Sequence, residues 1–254
     1  AENHASLIDG CRLARARTVV VPHADLDAID TALDCVTTDR ALVLTEGVYS
    51  MGGDVAPVGE LVEIAHRHGA LVVVDDAHGI GTVGPTGRGA TEELPASQRP
   101  DVLLGTASKA LGVEGGFACV DETLATLMRN CARGYVFSSA PSPVVAAGVA
   151  AAVEYLRTDT RRVCSLQANV AQARLLLAEA DLIPPSAAHD RGPIIRIPVG
   201  PESRAVAAQE ELARRGLMVG AIRYPAVARG DAILRICLTA RHTDEHIRIL
   251  VTSL

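Results

Sequence analysis

Three short apolar runs constrain the fold of this chain more than any other feature. Residues 41–45 (Ala-Leu-Val-Leu-Thr), 71–75 (Leu-Val-Val-Val-Asp) and 101–106 (Asp-Val-Leu-Leu-Gly-Thr) are apolar at almost every position and do not alternate. A strand of that kind must be covered on both faces. Between the runs lie segments with helical spacing: Leu26, Ile29 and Leu33 in one, Leu61, Ile64 and Ala65 in another, the latter stopped by Gly69. Buried strands alternating with amphipathic helices predict an α/β fold, a mostly parallel sheet flanked by helices. Residues 4–13 read as a short helix, 17–21 and 117–120 as further strands, 122–130 as a helix and 141–156 as a long helix whose Ala-rich part, 144–153, is expected to be buried.

After Asp159 the pattern changes. A helix over 166–180 leads to a Pro-rich turn, a strand over 194–199, a helix over 203–215, and strands near Val219 and over 234–238, with Thr243 capping a final helix. The expectation is a large domain over residues 1–154 and a small C-terminal α+β domain over 155–254.

Composition excludes several functions. A net charge of −6 argues against nucleic acid or an anionic membrane surface as partner. At 2 % aromatics the chain has no material for base-stacking platforms. No apolar run approaches the length of a membrane span, and residues 1–6 have neither the basic nor the apolar region of a signal peptide. Six cysteines without C-x-x-C spacing suggest reduced core thiols in a cytoplasmic protein. His66 and His68, and His242 and His246, read as solvated helix faces, so no metal is expected.

Lys109 is the only lysine among 24 basic residues. Arginine serves wherever charge and a long stem suffice, but it never loses its proton and cannot offer a neutral amine. A lone lysine in such a chain is a candidate Schiff-base nucleophile. It follows directly on the run over 101–106, beyond that strand's carboxyl end, where open α/β sheets bind ligands. The other two runs also end in polar clusters: Thr45, Glu46 and Ser50 after one, Asp75, Asp76 and His78 after the other. An amine, a carboxylate, an imidazole and the hydroxyls of Thr106 and Ser108 together suit pyridoxal phosphate, whose ring becomes an electron sink when a carboxylate keeps its nitrogen protonated. Gly79-Ile-Gly-Thr-Val-Gly84 fits G-x-G-x-x-G, but Pro85, Gly87 and Gly89 prevent the helix that a dinucleotide site needs.

Asn3-His-Ala-Ser, Thr45-Glu-Gly-Val-Tyr-Ser-Met51, Val74-Asp-Asp-Ala-His-Gly79, Gly87-Arg-Gly89, Thr106-Ala-Ser-Lys-Ala-Leu-Gly112 and Leu234-Arg-Ile236 run in one order across nearly the whole chain. In this the sequence resembles the α-oxoamine synthases, fold-type I pyridoxal-phosphate transferases that condense an amino acid with an acyl-CoA and release CO2. The resemblance implies that Lys109 bonds the cofactor and acts as base, and that Asp75 faces the pyridine nitrogen. It places His78 and Ser50 at the phenolic oxygen and His4 against the ring. Thr106 and Ser108 would bind phosphate, with Ser138 or Ser139 reaching across a homodimer interface. Arg235 would hold the amino-acid carboxylate.

Within that family the Asp75-Asp-Ala-His-Gly79 and Gly112-Val-Glu-Gly-Gly116 segments look most like those of 8-amino-7-oxononanoate synthases, which join L-alanine to a pimeloyl thioester in biotin synthesis. Arg223-Tyr-Pro-Ala-Val-Ala leans towards serine palmitoyltransferase-like members, and a glycine C-acetyltransferase-like synthase is a further alternative. A non-catalytic partner subunit of such an enzyme is the second-ranked reading from another class; such subunits lack the Schiff-base lysine, which is present here. Family members carry a segment before the Asn-His-Ala-Ser motif that helps to bind the phosphate. The expectation is therefore that these 254 residues alone bind cofactor weakly and need an upstream segment, supplied in the same chain or by a separate one.

Overall fold

A computed structural model describes residues 1–38 and 40–254. The chain divides into two compact units, one of Ala1–Val48 with Ala56–Thr160, the other of Tyr49–Val55 with Arg161–Leu254.

The first unit is built on a four-stranded sheet in the order β1 (Leu42–Glu46), β2 (Leu71–Asp75), β3 (Val102–Thr106), β4 (Gly116–Val120). The first three strands are parallel, with Glu46 opposite Asp75 and Asp75 opposite Leu104, so their carboxyl ends form one edge. β4 returns antiparallel to β3. Of the helices α1 (Ala5–Leu13), α2 (Leu26–Asp34) and α3 (Val58–Arg67), the last buries Val58, Leu61, Val62 and Ala65, and α2 buries Ile29 and Leu33. Each large apolar side chain so removed from water contributes roughly 1.5–3 kcal/mol. Asp25 caps α2 by accepting the Ala28 amide at 2.9 Å, and Asp121 caps α4 (Glu122–Cys131) through the Leu124 amide at 2.7 Å. The short α5 (Arg133–Val136) and the long α6 (Pro143–Thr158) follow.

Three sequence expectations fail. Residues 17–21 form no strand, and Val20 is 76 % exposed; extended chain becomes a strand only where a neighbour takes its backbone groups. Residues 144–153 do lie in α6, but no residue of that helix is buried and Val144 is 82 % exposed. Alanine favours the helix without needing a packed face. The six cysteines are free thiols, yet five are exposed and Cys11 is half-buried, so they form no part of the core.

The second unit holds an antiparallel sheet in the order β5 (Ile194–Gly200), β7 (Ala232–Cys237), β6 (Gly220–Ile222). Against it pack α7 (Arg161–Glu179), α8 (Glu202–Arg214) and α9 (Asp244–Ser253), around Leu166, Val170, Leu177, Ile195, Leu234 and Ile247. Thr243 and His246 close a capping box at the start of α9. Arg174 is buried in this core, where its terminal nitrogens donate to the carbonyls of Ala187 (3.1 Å), Gly192 (3.0 Å) and Ile194 (2.8 Å). Burial lowers its pKa, and the charges of Asp190 and Asp54 oppose that loss. Gly53, in the Tyr49–Val55 segment of this unit, presses its Cα against the Ile194 carbonyl, where no side chain fits.

Candidate active site

Parallel pairing gathers Thr45 and Glu46, Asp75 and Asp76, and Thr106 at the carboxyl edge of β1, β2 and β3. Asp75 ends β2 half-buried, between Glu46 of β1 and Leu104 of β3. Its side chain accepts the Ala77 amide at 3.1 Å, the turn that breaks the strand. Pairing continues one step past the strand, as the Gly47 amide donates to the Asp75 carbonyl and the Asp76 amide to the Leu104 carbonyl. The main chain around both aspartates is therefore held from either side. His78 lies half-buried in the following turn, where its carbonyl accepts the Thr82 hydroxyl.

Lys109 is exposed, in a closed turn that follows β3. The Ala107 amide donates to the Gly115 carbonyl (2.9 Å), the Val113 amide to the Ala107 carbonyl (2.8 Å) and the Gly112 amide to the Lys109 carbonyl (3.1 Å). Gly112 and Gly115 take φ of +66° and +111°, which glycine adopts without strain. The hydroxyls of Thr106 and Ser108 lie 2.8 Å apart at the mouth of this turn.

His4 belongs to the same unit and opens α1. The Ser6 amide donates to its Nδ1 (3.3 Å), and Ser6 Oγ lies 2.8 Å from the same atom. Asn3 donates to the Leu44 carbonyl at 2.8 Å and fastens this segment to β1. Residue chemistry alone gave Asn3 and Ser6 no role; their place in a motif was the one available signal.

Asp76, the second aspartate of the pair, is completely buried. Burial raises its pKa to about 7, the Ala90 amide pulling it down and the Asp75 charge pushing it further up. Ser138 and Ser139 lie in an exposed segment after α5, where the Ser138 hydroxyl donates to the Gly134 carbonyl. Ser50 and Arg235 belong to the second unit. There Arg235 Nε donates to the Ser50 carbonyl at 2.7 Å and Nη1 to Cys237 Sγ at 2.9 Å.

The histidine pairs have other employment than solvent contact. His66 meets Asp101 at 3.0 Å and His68 meets Asp30 at 2.7 Å, tying α3 to the start of β3 and to α2. The His68 ring holds the Asp30 carboxyl below its usual range. Among the described residues no group of three or more His, Cys, Asp or Glu could hold a metal ion.

Comparison with known proteins places this geometry. The chain is 99 % identical over 254 residues to a protein called biotin biosynthesis bifunctional protein BioWF from Cutibacterium acnes (strain SK137), covering all of this chain and 38 % of that protein. It is 44 % identical to an 8-amino-7-oxononanoate synthase from Halorhodospira halophila, over 99 % of this chain and 62 % of that one. The chain thus spans 38 % of the length of the first and 62 % of the second, less than two thirds of each. Among solved structures, a serine palmitoyltransferase from S. paucimobilis with a bound PLP–myriocin aldimine superposes with a TM-score of 0.92 at 30 % identity, over 100 % of this chain and 64 % of that one. The family description "Aminotransferase class I and II" matches residues 1–254. With its fold and its whole length so matched, the chain belongs to the family of class I and II aminotransferases.

Proposed function

We propose that this chain carries the active site of an α-oxoamine synthase that joins L-alanine to a pimeloyl thioester, releasing the thiol and CO2. One observation carries the reading: the single lysine stands in the turn after β3, one strand over from the carboxylate that ends β2, beside the Thr106–Ser108 hydroxyl pair. That donor set fits pyridoxal phosphate, with an amine for its aldehyde, a carboxylate for its ring nitrogen and hydroxyls for its phosphate. When bound, the cofactor supplies the electron sink for a carbanion at the amino acid's α-carbon.

The chain's residues divide the remaining work. Lys109 would hold the cofactor through its amine, and its Nζ would take the substrate's α-proton. Asp75 would oppose the charge of the ring nitrogen and favour its protonated form. His4 would cover the cofactor's ring, and His78 and Ser50 would bind its phenolic oxygen. Thr106 and Ser108 would donate to phosphate oxygens, and Ser138 or Ser139 would do so for the partner's site. Arg235 binds the substrate carboxylate; with Nε engaged by Ser50, it does so through its terminal nitrogens.

The protein acts as a cytoplasmic homodimer in this reading. No helix among the described residues is long and apolar enough to cross a membrane. A serine palmitoyltransferase-like activity is the second reading, supported by the Arg223-Tyr-Pro-Ala segment and by the superposition with such an enzyme. The test offers L-alanine, L-serine and glycine against pimeloyl-, palmitoyl- and acetyl-CoA and follows free thiol. Preference for L-alanine with the pimeloyl thioester is expected, and preference for L-serine with palmitoyl-CoA would replace the first reading by the second.

A further inference from the structure

Asp76 is a completely buried carboxyl next to the proposed site, and the reaction as described gives it no task. Its surroundings are specific. A Cβ on Gly47, Gly79 or Gly89 would fall on one of its carboxyl oxygens, so three glycines from three separate segments form its walls. Gly47 follows the end of β1, Gly79 lies in the turn after β2, and Gly89 ends the loop that returns to the sheet edge. Oδ2 accepts the Ala90 amide at 2.8 Å. The Gly79 and Ile80 amides both donate to the Asp76 main-chain carbonyl, each at 3.1 Å. Among the described residues Oδ1 has no hydrogen-bond donor.

The loop from Gly79 to Glu92 is fastened at a second point. Glu92 accepts the amides of Thr86 (3.1 Å) and Arg88 (2.9 Å) and the Thr86 hydroxyl (2.6 Å). Between the two carboxyls, the Gly81 amide meets the Gly87 carbonyl at 2.7 Å. The loop is therefore internally rigid, and Asp76 joins it to the turn that carries the active-site side chains.

We propose that Asp76 is a positioning residue: its caged carboxyl clamps the turn bearing Asp75 and His78 to the end of β1 and to the loop at Ala90. The inference rests on the function proposed above for Asp75 and His78. The clamp also titrates. Asp75 is the neighbouring charge that acts on Asp76, with Glu46 at the end of β1 and His78, Arg88 and Glu92 on the turn and loop as the other ionisable groups of these segments. Ionisation near pH 7 adds negative charge beside Asp75 and strengthens its hold on a protonated ring nitrogen.

The experiment uses the intact protein, first without cofactor. Hydrogen exchange at the Ala90 amide reads the clamp independently of any reaction. Asp76→Ala should speed that exchange by more than about tenfold, and Asp76→Asn, which keeps one acceptor oxygen in the same shape, by less than about threefold. With pyridoxal phosphate bound, the visible absorbance of the wild type should show an inflection near neutrality that Asp76→Asn lacks. Asp76→Ala should lower kcat at least about tenfold with little change in the amino-acid KM, and Asp76→Asn should recover most of the loss. Unchanged Ala90 exchange in Asp76→Ala overturns the clamp. Fast exchange with unchanged kcat and absorbance overturns the positioning role. Should Asp76→Ala fail to fold, a neutral inflection that persists in Asp76→Asn overturns the proposal by itself. Turnover by Lys109→Ala would refute the cofactor reading while leaving the Ala90 result standing, so the two failures are separable.

Discussion

At the scale of the residue, the weight falls on groups that no other side chain can replace. Lys109→Ala and Lys109→Arg should both abolish the visible absorbance of bound cofactor and all turnover, because arginine keeps the charge but has no free amine; turnover by either at a comparable rate would remove Lys109 from the chemistry. Asp76 sets a stability test with a defined sign. Its pKa rises from 3.8 unfolded to about 7 folded. Below pH ~4 it is protonated in both states and costs nothing. Between roughly pH 4 and 7 the folded protein binds more protons than the unfolded chain, so stability falls as pH rises through that window and levels off above it. A shift of about three units at about 1.4 kcal/mol each makes the full cost on the order of 4 kcal/mol. Relative to wild type, Asp76→Asn should therefore gain stability from about pH 4 to about pH 7 in urea unfolding and hold that gain above it; a constant difference across that window would contradict the buried titration. Residue chemistry made Lys109 and Asp75 visible in the sequence, since a lone amine and a strand-end carboxylate carry meaning by themselves. It could not rank Asp76 beside Asp75. Neighbours at a strand end face opposite sides, and which side is lined with glycine depends on Gly47, Gly79 and Gly89 meeting in space.

At the scale of the element, legibility follows how much of an element's stability is local. β1, β2 and β3 could be read from their continuous Val and Leu, although Leu42 and Leu71 stay exposed and only part of each strand is buried, and α9 because Thr243 marks its start. The segment over 17–21 has the same β-branched character, but its strand would depend on a partner that no local pattern reveals. α6 was recognised as a helix and misjudged as buried, since alanine composition is the same in either setting. The β5 strand offers a sharper test through its neighbour. Gly53 has φ of +76°, and its Cα abuts the Ile194 carbonyl. Gly53→Ala combines left-handed strain with a backbone clash and should cost more than about 2 kcal/mol in denaturant unfolding. A cost within about 0.5 kcal/mol, ordinary for a surface change, would mean that this close approach is absent in solution.

At the scale of the whole molecule, the first unit exposes Val144 (82 %), Phe137 (74 %) and Tyr135 (68 %) on α5, α6 and the segment between them. Apolar exposure of this extent is expected of an interface. In sedimentation the protein should run as a dimer, and Phe137→Asp with Val144→Asp should shift it towards monomer; an unshifted dimer would place the interface elsewhere. The placement of Tyr49–Val55 with the Arg161–Leu254 unit bears on how the chain is made. Those seven residues leave the ribosome between β1 and α3, long before Ile194 exists to receive Gly53. The emerging sheet must carry the segment as an idle tether through the synthesis of everything from α3 to β5. The C-terminal unit is then completed by a piece made early, which gives it the slow closure of a long-range contact. A cut at the Thr160–Arg161 junction would release a fragment that lacks one of its own parts.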